Sequence, residues 1–266
     1  MSVAAMASPR PSTVRAWMAL LSLSTRRLGW SFQTLLALVV IALLLVLVLL
    51  VQAVAASRGD DGWTVYTFGR ALVGNIYLRF VLPLLCLCFG TQALGGDWEE
   101  KSLVWLLTRP LPRPMNYQSK NQATMPFAEA LSVHVQFEAG ELAGREGWQA
   151  ALAYLSLFLL LGAIFRRSTI IALTYTFVVE TILSNMPGLV KRITIAFYDR
   201  CLLFSLAEER GWHVAPKGVR AVIPDNERFF LPVDETTALV VLVAVPTTLL
   251  LIGIWWFSRK EYLDLT

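Results

Sequence analysis

Between Leu35 and Ala55 the chain reads LLALVVIALLLVLVLLVQAVA, with Gln52 its one polar residue. A helix needs about 20 apolar residues to cross a bilayer. No water reaches backbone groups inside the bilayer, so a crossing segment must be a helix or a strand of a closed barrel. The run lacks the alternation of a barrel strand, which leaves a transmembrane helix. Arg10, Arg15, Arg26 and Arg27 precede it and place its N-terminus on the cytoplasmic side. The run is too long for the apolar core of a cleavable leader, so a retained helix is expected.

Four further apolar blocks follow, at residues 72–93, 150–165, 168–187 and 237–257. Arg79 and Asn75 stand toward the outer end of the first, and Pro83 is expected to kink it. Arg166 and Arg167 close the second, and the third carries Glu180. Pro246 is expected to break the last, which ends in Trp255, Trp256, Arg259 and Lys260. Tryptophans at such a place suit an interfacial belt. Residues 12–30 put Trp17, Leu20, Leu21, Ser24 and Leu28 on one helical face, with Arg15, Ser22 and Arg26 off it. That pattern fits a helix lying in the membrane surface, or else a basic juxtamembrane tail.

The charge pattern conflicts with the hydropathy. Five spans leave Arg166–Arg167 and Arg259–Lys260 outside, against the positive-inside rule, whereas six spans bring both in and make both termini cytoplasmic. The sixth crossing would have to fall within residues 115–148, which are rich in polar side chains such as Asn116, Gln118, Lys120, Asn121 and Gln122. The best window there, Met125 to Ala143, still holds Glu129, His134, Glu138 and Glu141. A central charge costs about 2.5–3.5 kcal/mol. A re-entrant segment, a helix shielded by its neighbours or a locally altered reading frame would each reconcile the two signals. The expected fold is thus an all-α polytopic bundle of about six spans, five of them clear, with residues 188–236 forming a long extracytoplasmic loop.

Several chemistries are missing. There is no G-x-x-x-x-G-K-[ST], no H-E-x-x-H and no C-x-x-C, so neither nucleotide binding by a P-loop nor a zinc site is expected. The histidines, His134 and His213, lie in separate loops, and Cys86, Cys88 and Cys201 form no disulfide framework. Glu208–Glu209 reads as a surface charge cluster. A net charge of +4 calls for no nucleic-acid partner. No catalytic residue, metal ligand or cofactor is expected.

The informative segment is GGDWEEKSLVWLLTRPLPRP, residues 95–114. Gly95 and Gly96 are expected to end the second span. Asp97, Glu99 and Glu100 would then open a short helix, where acids favour the positive end of the dipole. Leu103, Leu106 and Leu107 give it an apolar face, and Pro110, Pro112 and Pro114 stop it. Such a helix is a handle for a cytoplasmic partner or a plain surface anchor.

The same segment resembles one in bacterial type-2 ABC transporter permeases, where a span runs into Glu-rich sequence, Leu-x-x-Leu-Leu and an Arg-Pro-x-x-Arg turn. Glu100, Leu103, Leu106, Leu107, Thr108, Arg109, Pro110, Leu111 and Arg113 match; Lys101–Ser102 depart from the usual Gly-Thr or Ser-Thr. ETILSNMPGLVKRITIAFYDR, residues 180–200, is similar to the fifth helix and outer segment of that family. The resemblance implies a permease subunit of the bacterial inner membrane that pairs with a second copy or a paralogue. Residues 97–113 would couple to a separate ATPase subunit that binds the ATP. Glu180, with Asn185 and Arg79, would line a pathway or else fix helix packing; an acid at membrane depth is costly to keep. A membrane-embedded hydrolase using Glu180 and Glu208–Glu209, or a scaffold without transport, are the competing expectations.

Overall fold

The computed structural model describes residues 13–57, 77, 80–99, 112–133, 141–165, 167–183, 189–209 and 233–259. Among them the secondary structure is entirely helical. Helix α1 spans Thr13–Gly29 and α2 spans Phe32–Ser57. The two meet at a 50° bend. Ser31 makes the corner: its Oγ accepts from the Thr34 amide at 3.4 Å, the cap geometry expected at a helix start.

The apolar face read along α1 is present. Leu20, Ser24 and Leu28 are buried on it while Arg15, Ser22 and Arg26 are exposed. Trp17 and Met115 both pack against Leu20, so the face is covered in part by the helix that carries Met115, Arg113–Val133. Helix α2 makes few contacts with the rest. Ala37 is buried, but Leu35, Leu38, Val39, Leu43, Val46, Leu49 and Leu50 are all exposed.

Helix α3 spans Leu82–Glu99. Pro83 stands in the first turn of α3. Just before it the backbone at Phe80 and Val81 is wound as π-helix. Gly95 and Gly96 do not end the span as the sequence suggests; α3 continues through them to Glu99. Packing explains the difference. A Cβ at Gly95 would stand 2.6 Å from the Ser168 hydroxyl, so glycine is kept there for close approach and not for a helix stop.

Helix α4 spans Arg113–Val133, so the polar stretch that hydropathy rejects is a helix of 21 residues. Its buried side is polar: Asn116, Ser119, Lys120, Asn121 and Thr124 all face inward. Ser119 and Thr124 satisfy their hydroxyls on the Asn116 and Asn121 carbonyls of the preceding turn. Helix α5, Glu141–Ile164, is the hub that α3, α4 and the later helices surround. Ala150, Ala151, Ala153, Tyr154, Leu155, Phe158, Leu159 and Ala163 form its buried stripe. Small residues let α3 approach it. A Cβ on Gly90 would meet the Phe158 Cβ at 2.7 Å, and one on Gly162 would touch the Thr91 carbonyl at 3.5 Å.

Helix α6 spans Ser168–Tyr175 and runs without a break into a π-helical segment, Thr176–Ile182. A 3-10 turn at Val190–Ile193 then leads to α7, Ile195–Glu209. The long loop expected over residues 188–236 therefore holds a helix, with Phe197, Cys201 and Leu202 buried in the bundle. Its apolar side chains have a core to join, which a solvated loop would not give them. The last helix, α8, spans Glu235–Arg259 and stays continuous through Pro246, where a break was expected.

By length and composition, α8 can cross a membrane, and the bent pair of α1 and α2 passes the same test when joined. Apolar stretches of α3, α5 and α6 with the π segment are shorter, at Leu82–Gly96, Trp148–Ile164 and Ser168–Glu180. On α8 the buried residues are Ala238, Leu242, Gly253 and Phe257. Val240, Val243, Leu251, Ile252 and Trp255 stand exposed on it.

Candidate functional site

The local sequence around Thr194 creates a need that Glu180 meets. Thr194 precedes α7 in extended conformation (φ −87°, ψ 142°), the place of an N-cap. Its hydroxyl, however, donates to the Lys191 carbonyl at 2.7 Å and so closes the 3-10 turn behind it. The first amides of α7 are left without a local acceptor. Glu180 reaches across from the π segment to supply one. Its Oε1 accepts from the Ile195 amide at 3.1 Å and its Oε2 from the Ala196 amide at 3.2 Å. The Tyr175 hydroxyl donates to Oε1 at 3.3 Å. A carboxylate at this end of the helix also meets the positive end of its dipole.

The π turn is what aims the carboxylate. Widening the helix over Thr176–Ile182 lets Glu180 and Tyr175, five residues apart, share a hydrogen bond. Such single-turn π segments are frequent at functional sites.

A second acid lies one turn into α7. Asp199 is 2% exposed, and among the described residues its Oδ1 has no hydrogen-bond partner. Burial pushes its carboxyl up to about 7, opposed by the Arg200 guanidinium and reinforced by Glu180. Tyr154, on α5, is fully buried and within electrostatic reach of both acids. Its hydroxyl faces Glu180 without a fully aligned hydrogen bond. Tyr77 also faces Asp199. Nearby, the Lys191 ammonium rests 5.6 Å from the Phe197 ring, a cation–π contact. Burial lowers the pKa of Lys191.

The sequence-derived candidates fall unevenly. Glu180 is at the centre of this cluster, 0% exposed. Arg79 and Asn185 lie outside the described residues. So do Glu100, Leu103, Leu106, Leu107, Thr108, Arg109 and Pro110. Asp97 and Glu99 occupy the last turn of α3 rather than the first turn of a separate helix, and Arg113 opens α4, exposed. Among the described residues no group of His, Cys, Asp and Glu could hold a metal ion.

Sequence reasoning passed over Tyr154, Tyr175, Asp199 and Arg200. The available signal was an Asp-Arg pair set inside the apolar helix IAFYDRCLLF. Ionisable groups in such a setting have to be paired or neutralised. No family model matches the chain, and no curated protein matches it.

Proposed function

We propose that the chain is the permease subunit of an ATP-driven transporter, embedded in the membrane by about six helical spans and lacking its own nucleotide site. The reading rests on the type-2 permease resemblance of residues 95–114 and 180–200. One observation from the fold carries it further: the packing of Leu20 against Met115. Met115 is in the first turn of α4, just past the Leu-Leu-Thr-Arg-Pro segment that ends at Pro110. The basic, amphipathic N-terminal helix is thereby held at the same end of α4 as the segment proposed to dock on an ATPase. Both would face the cytoplasm, where such a partner is found.

The exposed apolar faces of α2 and α8 suit lipid or a second permease copy, and Arg259 stacks 4.7 Å over the Trp255 ring as an interfacial pair would. In this reading α3, α4, α5 and α6 with its π segment supply the remaining crossings. The polar side of α4 is shielded by α1, α3, α5 and α8, which lowers the cost of carrying Lys120 through the bilayer. Glu180, with both oxygens engaged by backbone amides, serves packing at the α6–α7 junction.

The test is co-purification with a co-expressed ABC ATPase subunit. The tagged wild-type chain should bring the ATPase down in detergent, while Leu106→Asp and Leu107→Asp should lose it without loss of the permease itself. Absence of any ATPase with wild type would remove the transporter reading and favour a membrane scaffold.

A further inference from the structure

Among the described residues, two acids, one guanidinium and three phenols are enclosed together where the π segment, α5 and α7 meet. Glu180 is 0% exposed and Asp199 is 2% exposed. Their surroundings can be enumerated by element. The α6–π unit contributes Tyr175 and Glu180, and α5 contributes Tyr154. Tyr77 faces Asp199 from the segment before α3, and α7 itself adds Arg200. Lys191 and Cys201 lie within electrostatic reach of Arg200 and each other, one residue group further out. Helix α8 also packs on α7 but has no ionisable side chain between Glu235 and Arg259.

Among the described residues, the charges immediately around Asp199 do not balance when both acids are ionised, because a single guanidinium faces two carboxylates. An uncompensated buried charge is costly, and the usual relief is to bind a proton. The hydrogen bonds say which acid takes it. Both Glu180 oxygens accept from backbone N–H groups, which offsets part of the cost of burying a charge there. Asp199 has an oxygen, Oδ1, buried with no donor among the described residues. We infer that Glu180 and Asp199 form one proton-binding site, in which Asp199 carries the proton while Glu180 holds the start of α7, and that loss of this proton loosens α7 from α5.

The proton comes from water and returns to it; no other bond changes. Burial pushing Asp199 up to about 7 agrees with this assignment. Release leaves a second negative charge beside Glu180 in the same enclosure, and repulsion between the two acts on the one element both contact, α7. The inference stands apart from the transporter reading, since it concerns the chain alone and its test uses no ATPase.

Infrared spectroscopy of the purified full chain in lipid nanodiscs, titrated from about pH 5 to about pH 9, tests the site. Wild type should lose one protonated-carboxyl band with a midpoint within about one unit of neutrality. Asp199→Asn should lack that band. Glu180→Gln, which removes the neighbouring charge, should keep it and move its midpoint to lower pH. In parallel, maleimide labelling of Cys201, buried on α7, should rise as the band disappears, measured against Cys88 of the same molecules to cancel the thiol's own titration. The inference is overturned if no carboxyl deprotonates in that range, or if the band is unchanged in Asp199→Asn. It is overturned equally if the midpoint is the same in Glu180→Gln, a variant that answers the question even if Asp199→Asn does not fold.

Discussion

The Tyr117 ring lies directly on Gly253, so closely that no Cβ fits between them. Tyr117 is on α4 and fully buried, and Phe257, one turn beyond Gly253 on α8, flanks it with ring centroids 6.0 Å apart. A polar helix is docked here on an apolar one through an aromatic ring set against a glycine. Close approach of this kind stabilises helix pairs where the hydrophobic effect does not drive association. Gly253→Leu should therefore destabilise the chain by about 1–3 kcal/mol, the usual cost of overpacking. Thermal unfolding in detergent gives the reading, and Tyr117→Ala in the same chain should recover part of the loss. An undiminished midpoint in Gly253→Leu would mean that α4 and α8 are not held together here.

The Glu180 cap makes a graded prediction. Glu180→Ala leaves the Ile195 and Ala196 amides without an acceptor and should cost about 2 kcal/mol or more. Glu180→Gln keeps a carbonyl acceptor and should cost less. Unfolding followed by the reactivity of Cys201, buried on α7, would separate the two; equal midpoints for all three proteins would show that the cap contributes nothing.

Stability should fall as pH rises across the range set by Asp199. Its folded-state pKa, about 7, is above the ordinary aspartate value of 3.8. The native state thus binds the proton more tightly than the unfolded chain does. Its contribution is complete below the unfolded pKa and is lost as pH climbs through about 7. The difference in unfolding midpoint between wild type and Asp199→Asn should therefore shrink or change sign from acid to neutral pH. A constant difference between about pH 4 and pH 8 would place the titration elsewhere.

Membrane insertion of α8 can be probed at its exposed middle. Val243 is 57% exposed, and if that face meets lipid, Val243→Arg should cost about 2.5–3.5 kcal/mol at the helix centre. The variant should be released by alkaline extraction of membranes while Val243→Leu is retained. Equal retention would show that α8 does not need to cross.

Several features were legible from residue order because they depend on local composition. The run from Leu35 to Ala55 and the block ending in Trp255–Trp256 are helical over the expected stretches. The face of α1 formed by Leu20, Ser24 and Leu28 is also where periodicity places it. Glu180 stood out because an acid inside an apolar block requires an explanation. Local rules failed where a neighbour decided the outcome. Gly95 and Gly96 look like a helix stop, but Ser168 presses on the first of them and α3 continues. Pro246 looks like a break, but α8 is continuous.

By itself, then, the sequence determined that this protein is helical and apolar in long blocks, since a run such as Leu35–Ala55 has to satisfy its own backbone wherever lipid or core surrounds it. Only the tertiary structure decided the place of α4 and of Glu180. Hydropathy scores Asn116, Lys120 and Asn121 as if each faced its surroundings alone, yet α1, α3, α5 and α8 enclose them. Likewise, nothing in the order of residues links Glu180 to Ile195 and Ala196. That link exists because Thr194 spends its hydroxyl on Lys191, and because a π turn brings a carboxylate from the preceding helix to the amides left open.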